Sequence, residues 1–315
     1  MWILVADEIA DSAIELLKTD YNVVIHHYSP NELVEEISKF HAVIVRSATK
    51  VSRSVIEKGT NLKVIGRAGV GIDNIDVVAA TEKKIAVVNS PHASTISVAE
   101  MSLGLMLALS RKIIEANYQT KLGKWPKNAL IGRELYAKTL GFVGCGRIGA
   151  EVAKRAQAFG MRCIAYDPYL PKEIAKSINV QLFDDLNYVL ASSDFVSIHA
   201  LLTDETRGML SEKELSTMKP SSFIINCARG GIIDEKALYQ ALIDQKIQGV
   251  ALDVFEIEPV KENKLFELEN VYVSPHIAAS TIEAQERAGY IIAEQIRLVL
   301  QGNRPVFCIN NKIFD

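Results

Sequence analysis

Three glycines, Gly144, Gly146 and Gly149, constrain the fold of this chain more than any other feature. They follow an apolar run, Lys138 to Val143, and lead into Ile148 to Phe159, where apolar residues recur at helical spacing. A strand, a G-x-G-x-x-G turn and a helix in that order form a cradle for a pyrophosphate. The first glycine permits the turn, the second lets backbone approach the phosphates, and the third lets helix pack on strand. The helix N-terminus then stabilises the phosphate charge. Asp167 closes the next apolar run, Met161 to Tyr166, where a carboxylate can accept both hydroxyls of an adenine ribose. A 2'-phosphate there would meet like charge, so the expected dinucleotide is NAD, not NADP.

Short apolar runs alternate with amphipathic stretches on both sides of this loop. Before it the strand candidates are Trp2 to Ala6, Val23 to His26, Ala42 to Val45, Lys63 to Gly66 and Ala86 to Val88; after it they lie near Arg162 to Tyr166, Asp194 to His199, Ser222 to Asn226, Gly249 to Asp253 and Val271 to Val273. Such alternation gives parallel sheets covered by helices, and 315 residues suffice for two such domains. The stretch Ser94 to Ala116 reads as one long helix, followed by a polar, exposed arm around Trp125. The last helix is expected to open at Ser280, with Glu283 completing a capping box, and to stop at Gly302. A formal net charge of -3 offers no footprint for nucleic acid, and the first residues form too short an apolar run for a membrane span. The four cysteines show no metal-ligand or disulfide spacing, so no metal is expected and a cytoplasmic setting is.

Parallel sheets bind ligands beyond the carboxyl ends of their strands. In the second half those ends carry His199, the turn Asn226 to Gly231 with Arg229, the run Asp253 to Pro259 with Glu258, and Ser274-Pro275-His276. Arginine, carboxylate and histidine together fit hydride chemistry on a hydroxy acid. A guanidinium can clamp the substrate carboxylate with two parallel hydrogen bonds. An imidazole titrating near neutrality can take the hydroxyl proton, and a carboxylate bonded to it would orient the ring and favour the imidazolium. Gly230 and Gly231 leave room at the arginine's turn. His199 is read as a packing residue.

Taken together, Val45 to Lys50, Gly66 to Asn74, the glycine loop with Asp167, Asn226 to Gly231, Ala251 to Pro259 and Pro275 to Thr281 resemble the D-isomer-specific 2-hydroxyacid dehydrogenases. The resemblance runs nearly the whole length. It implies two Rossmann-like, doubly wound parallel-sheet α/β domains with an active-site cleft between them: residues 1–91 plus 281–315 for substrate, and residues 92–280 for NAD. It implies Arg229, Glu258 and His276 as the catalytic set. It also implies cofactor contacts from Val70, Gly144, Gly146, Arg147, Ile148, Gly149, Asp167, Ala200, Cys227, Ala228, Arg229, Asp253, His276 and Ala279, with Asp253 at the carboxamide. Substrate would meet Arg46, Ser47, Arg67, Gly69, Arg229 and His276.

The implied partner is a phosphorylated 2-hydroxy acid, and the implied reaction is oxidation of 3-phospho-D-glycerate to 3-phosphohydroxypyruvate, the entry step to serine. Arg46 and Arg67 would supply the extra cations. Alternatives are a glyoxylate or hydroxypyruvate reductase, another D-2-hydroxyacid dehydrogenase, or a non-enzymatic NAD-sensing corepressor on the same scaffold. A homodimer through the NAD-binding domain is expected, and regulation through a further C-terminal domain is not, the chain ending at Asp315.

Overall fold

The computed structural model describes residues 1–315 and divides into two compact units, Met1–Ser94 with Ala279–Asp315, and Thr95–Ala278. The sequence places these boundaries near 91/92 and 280/281. The first falls later because Ala93 packs in the first unit's core and its carbonyl accepts a hydrogen bond from Arg287 Nε at 3.0 Å.

In the first unit, β1 (Trp2–Val5), β2 (Asn22–Ile25), β3 (Ala42–Val45), β4 (Val64–Arg67) and β5 (Ala86–Asn89) form a wholly parallel sheet in the order β2-β1-β3-β4-β5. The middle strand β3 is apolar and buried at every position because helices cover both faces of the sheet. One cover is the final helix, Ile282–Leu300, whose Ile292 and Ile296 are fully buried. A Cβ on Gly66 would sit 2.8 Å from Ile296 Cδ1, and one on Gly289 would sit 2.9 Å from Ala13 Cβ, so small residues let this helix press on sheet and neighbour. Its N-cap is Thr281, which accepts the Ala284 amide at 3.1 Å, and not the Ser280 expected from the sequence. Gly302 adopts φ 82° just past its end.

In the second unit, β6 (Thr139–Val143), β7 (Arg162–Tyr166), β8 (Gln181–Phe183), β9 (Phe195–Ile198), β10 (Phe223–Asn226), β11 (Gly249–Leu252) and β12 (Val271–Val273) form another parallel sheet, ordered β12-β11-β10-β9-β6-β7-β8. The order reverses between β6 and β9, the switch point at which doubly wound sheets bind ligands. The three-residue β8 is too short to announce itself in the sequence. The expected long helix is two, Thr95–Arg111 and Ile113–Lys121, because Lys112 between them takes a left-handed conformation at φ 51°. No helix is long and apolar enough to cross a membrane.

Candidate active site

The glycine loop leaves β6 and enters the helix Arg147–Ala158, with Gly146 at its N-cap. Gly144 adopts φ 78°, and a Cβ on it would lie 2.7 Å from the Ala200 amide nitrogen, so only glycine fits where the loop crosses the end of β9. A Cβ on Gly149 would lie 3.3 Å from Cys145 Sγ and from the Gly144 carbonyl. Above Gly146 the space is open, with nothing within 4 Å of a Cβ placed there. That gap beside Arg147 and Ile148 is what a pyrophosphate approaching bare backbone requires, so the loop fits a dinucleotide.

Asp167 stands at the end of β7. Its Oδ2 accepts the Cys145 amide at 2.8 Å, and its Oδ1 accepts the amides of Tyr169 and Leu170 at 2.9 and 3.1 Å. The carboxylate therefore ties the glycine loop to its own turn, and its remaining lone pairs are available to a ribose. On the other flank, Ser197 Oγ lies 2.8 Å from Nε2 of His199. Burial of the ring pushes the His199 pKa down to about 4, so it stays neutral at pH 7 and packs against Phe142. Ala200 follows it at the loop crossing.

The reactive groups gather at the ends of β10, β11 and β12. His276 Nδ1 and Glu258 Oε2 are 2.6 Å apart, although 18 residues separate them in sequence. Glu258 Oε1 accepts the Phe255 amide at 2.9 Å. Burial pushes the Glu258 carboxyl up, but the bonds from His276 and Phe255 and the charges of His276 and Arg229 outweigh it. The carboxyl is held below the usual carboxylate range and is ionised at neutral pH.

Arg229 sits on the turn after β10. Asn226, buried at the end of an apolar strand, uses its amide there: Nδ2 donates to the Arg229 carbonyl at 3.0 Å and Oδ1 accepts the Ala228 amide at 3.0 Å. Arg229 Nη1 also donates to the Ala228 carbonyl at 2.7 Å. Asn226 was not among the expected site residues; a lone polar side chain closing Phe223-Ile224-Ile225 is the signal that could have marked it.

Asp253, fully buried after β11, is the larger surprise. Oδ1 accepts the Ser274 hydroxyl at 2.5 Å and the Ile277 amide at 2.9 Å, and Oδ2 accepts the Ala278 amide at 2.8 Å. Its carbonyl accepts the His276 amide at 2.8 Å. These bonds hold His276 at φ 54°, a left-handed conformation that costs a histidine energy unless its surroundings impose it. The resemblance puts this carboxylate at a carboxamide, whereas much of its capacity goes to shaping the histidine's loop.

The remaining expected residues lie in the first unit. Arg46 and Ser47 follow β3 and Arg67 ends the adjacent β4, where Val45 and Arg67 are register partners. Asp7 orders the loop after β3 by accepting the amides of Arg46 and Thr49 at 2.5 and 3.1 Å. Asn74 Nδ2 clasps the same loop through the carbonyls of Arg46 and Thr49 at 2.7 and 2.6 Å. The Arg67 guanidinium lies across Gly69, where a Cβ would come 2.2 Å from Nη1. The Val70 carbonyl accepts from Asn89 Nδ2 at 2.8 Å, and that of Ala279 accepts the Thr281 amide at 3.1 Å. Among the cysteines, burial pushes the thiols of Cys145 and Cys227 up to about 12, leaving little reactive thiolate at neutral pH.

A parallel sheet with a dinucleotide loop at its switch point and an arginine, glutamate and histidine over its far strand ends defines a nicotinamide-dependent dehydrogenase. The sequence profile described as "D-isomer specific 2-hydroxyacid dehydrogenase, NAD binding domain" matches residues 103–278. The chain belongs to this family, and its second unit is the NAD-binding domain. It is 54% identical to the D-3-phosphoglycerate dehydrogenase of Methanocaldococcus jannaschii over 98% of this chain and 59% of that protein. It is 48% identical to the hydroxypyruvate reductase of Thermotoga maritima over 93% of this chain and 96% of that one. The crystal structure of a Thermus thermophilus protein superposes with a TM-score of 0.91 at 32% identity, covering 98% of this chain and all of the other. The chain spans little more than half the length of the phosphoglycerate dehydrogenases it matches, 54 to 59%.

Proposed function

We propose that this chain catalyses NAD-dependent oxidation of 3-phospho-D-glycerate to 3-phosphohydroxypyruvate. The observation that carries the chemistry is the 2.6 Å contact between His276 Nδ1 and Glu258 Oε2 beside Arg229. With Nδ1 engaged by Glu258, Nε2 is the ring atom left to take the proton of the C2 hydroxyl. Glu258, already ionised, stabilises the imidazolium that results. Arg229 binds the substrate carboxylate and polarises the C2 oxygen. The glycine loop, Asp167 and Ile148 hold NAD, which when bound supplies the hydride acceptor.

The phosphate is assigned to Arg46 and Arg67, cations at the carboxyl ends of neighbouring strands. A second reading, a hydroxypyruvate reductase, draws on the Thermotoga maritima relative, which matches this chain nearly end to end. Replacing both arginines by alanine separates the two. Under the first reading, kcat/KM for phosphohydroxypyruvate falls at least about tenfold further than for hydroxypyruvate, a loss of ~1.4 kcal/mol or more in phosphate binding. Equal losses on the two substrates would remove the phosphate assignment and favour the reductase.

The four cysteines are unpaired, which fits a reducing, cytoplasmic setting that cell fractionation would check. A homodimer through the NAD-binding domain completes the proposal. It is supported by the helix Ile113–Lys121, which has no buried residue, and by Ile113, Tyr118 and Trp125, which are 51%, 61% and 73% exposed. Light scattering should return twice the chain mass; a monomer at micromolar concentration would overturn this part.

A further inference from the structure

Arg229 and Glu258 come from different strand-end loops, so something must fix one loop against the other. Two contacts do so within the second unit. The backbone at Gly230 lies against the backbone of Phe255, where a Cβ would come 1.8 Å from the carbonyl oxygen. A few residues on, Glu235 and Glu256 exchange bonds: Glu235 Oε1 accepts the Glu256 amide at 2.7 Å, and Glu256 Oε1 accepts the Glu235 amide at 2.9 Å. Glu235 Oε2 also accepts Asn263 Nδ2 at 2.8 Å.

Glu235 is the first residue of the helix Glu235–Ile243, but the capping is done by its neighbour Asp234, whose side chain accepts the amides of Lys236 and Ala237. The Glu235 carboxylate is thereby left to reach sideways. It grips both ends of the segment 256–263, which contains Glu258, and charge-assisted bonds to backbone amides are stronger than neutral ones. Within the loop, the Phe255 amide also donates to Glu258 itself.

We infer that Glu235 is a positioning residue that, through the Glu256 amide and Asn263, sets Glu258 against His276 and Arg229. This rests on the catalytic reading above. Without the grip, the loop has rotational slack next to a contact of hydrogen-bond length, and misplacement of a reacting group by a fraction of an ångström lowers turnover more than it lowers binding.

The test is a double-mutant cycle on the full chain, following NADH oxidation with a panel of 2-oxo acids. Glu235→Ala should lower kcat about tenfold and change KM less than about threefold, with NADH affinity by fluorescence retained. In a Glu258→Ala background the same substitution should change kcat less than about twofold, because the group it positions is gone. Glu235→Gln keeps an acceptor for the Glu256 amide and should recover most of the rate, which also covers the case of an unstable alanine variant. A tenfold loss persisting in the Glu258→Ala background, or a glutamine variant as slow as alanine, would overturn the inference. A wild-type protein that leaves NADH untouched with every acid overturns the catalytic reading, and this one with it.

Discussion

His276→Ala should lower kcat for 2-oxo acid reduction by about 10² to 10⁴ while NADH still binds. The magnitude follows from removing the only ring that couples to Glu258: its Nδ1 is held at 2.6 Å, and its backbone is held at φ 54° by amide bonds that Asp253 accepts. Alanine tolerates that backbone less well than histidine, so part of the loss would be conformational. His276→Asn separates the two causes, because asparagine accepts left-handed geometry but cannot carry the proton. An asparagine variant as slow as alanine assigns the loss to chemistry; either variant turning over at the wild-type rate would refute the proton-transfer role.

The second large effect belongs to a residue that touches no reacting atom. Gly230→Ala would place a methyl carbon 1.8 Å from the Phe255 carbonyl oxygen and 2.0 Å from its carbon, backbone atoms that cannot swing aside. The turn bearing Arg229 and the loop bearing Glu258 must then part. The expected cost is on the order of 3 to 5 kcal/mol in stability, together with loss of turnover in whatever protein remains folded. Gly104→Ala is the matched control, since nothing lies within 4 Å of a Cβ there and the residue is inside a helix. Thermal denaturation of the two side by side decides the matter, and equal melting temperatures would show that the close approach at Gly230 is not rigid.

What could be read in the sequence was what depends on one strand end at a time. Asp167, Arg229, Glu258 and His276 each follow an apolar run, and residues after parallel strands face the ligand whatever the rest of the chain does. The glycine loop was legible for the same reason, because all its parts are contiguous. Relations between strand ends were not. Asp253 could be placed near the cofactor, but its bonds to Ile277 and Ala278 reach 24 and 25 residues ahead, and no spacing announces them. Gly230 read as a residue that makes room, yet the neighbour it makes room for is Phe255, known only once β10 and β11 pair. The break at Lys112 escaped because the apolar pattern runs through it: a single residue changed hand while Leu109 and Ile113 kept helical spacing.

The order in which the chain leaves the ribosome gives the division at Ser94 and Ala278 a further meaning. The NAD-binding unit is one unbroken length and can close its core as soon as it emerges. The other unit is begun first and completed last: its five strands appear early, but the helix that buries Ile292 and Ile296 over Gly66 is synthesised only after the whole intervening unit. Until then that face of the early sheet has only the helix Asp11–Lys18 over it, and the nascent protein carries exposed aliphatic surface while the intervening unit Thr95–Ala278 is translated, about 10 to 40 seconds at common elongation rates. The inserted unit therefore matures first, and the flanking one waits on the arrival of its own tail.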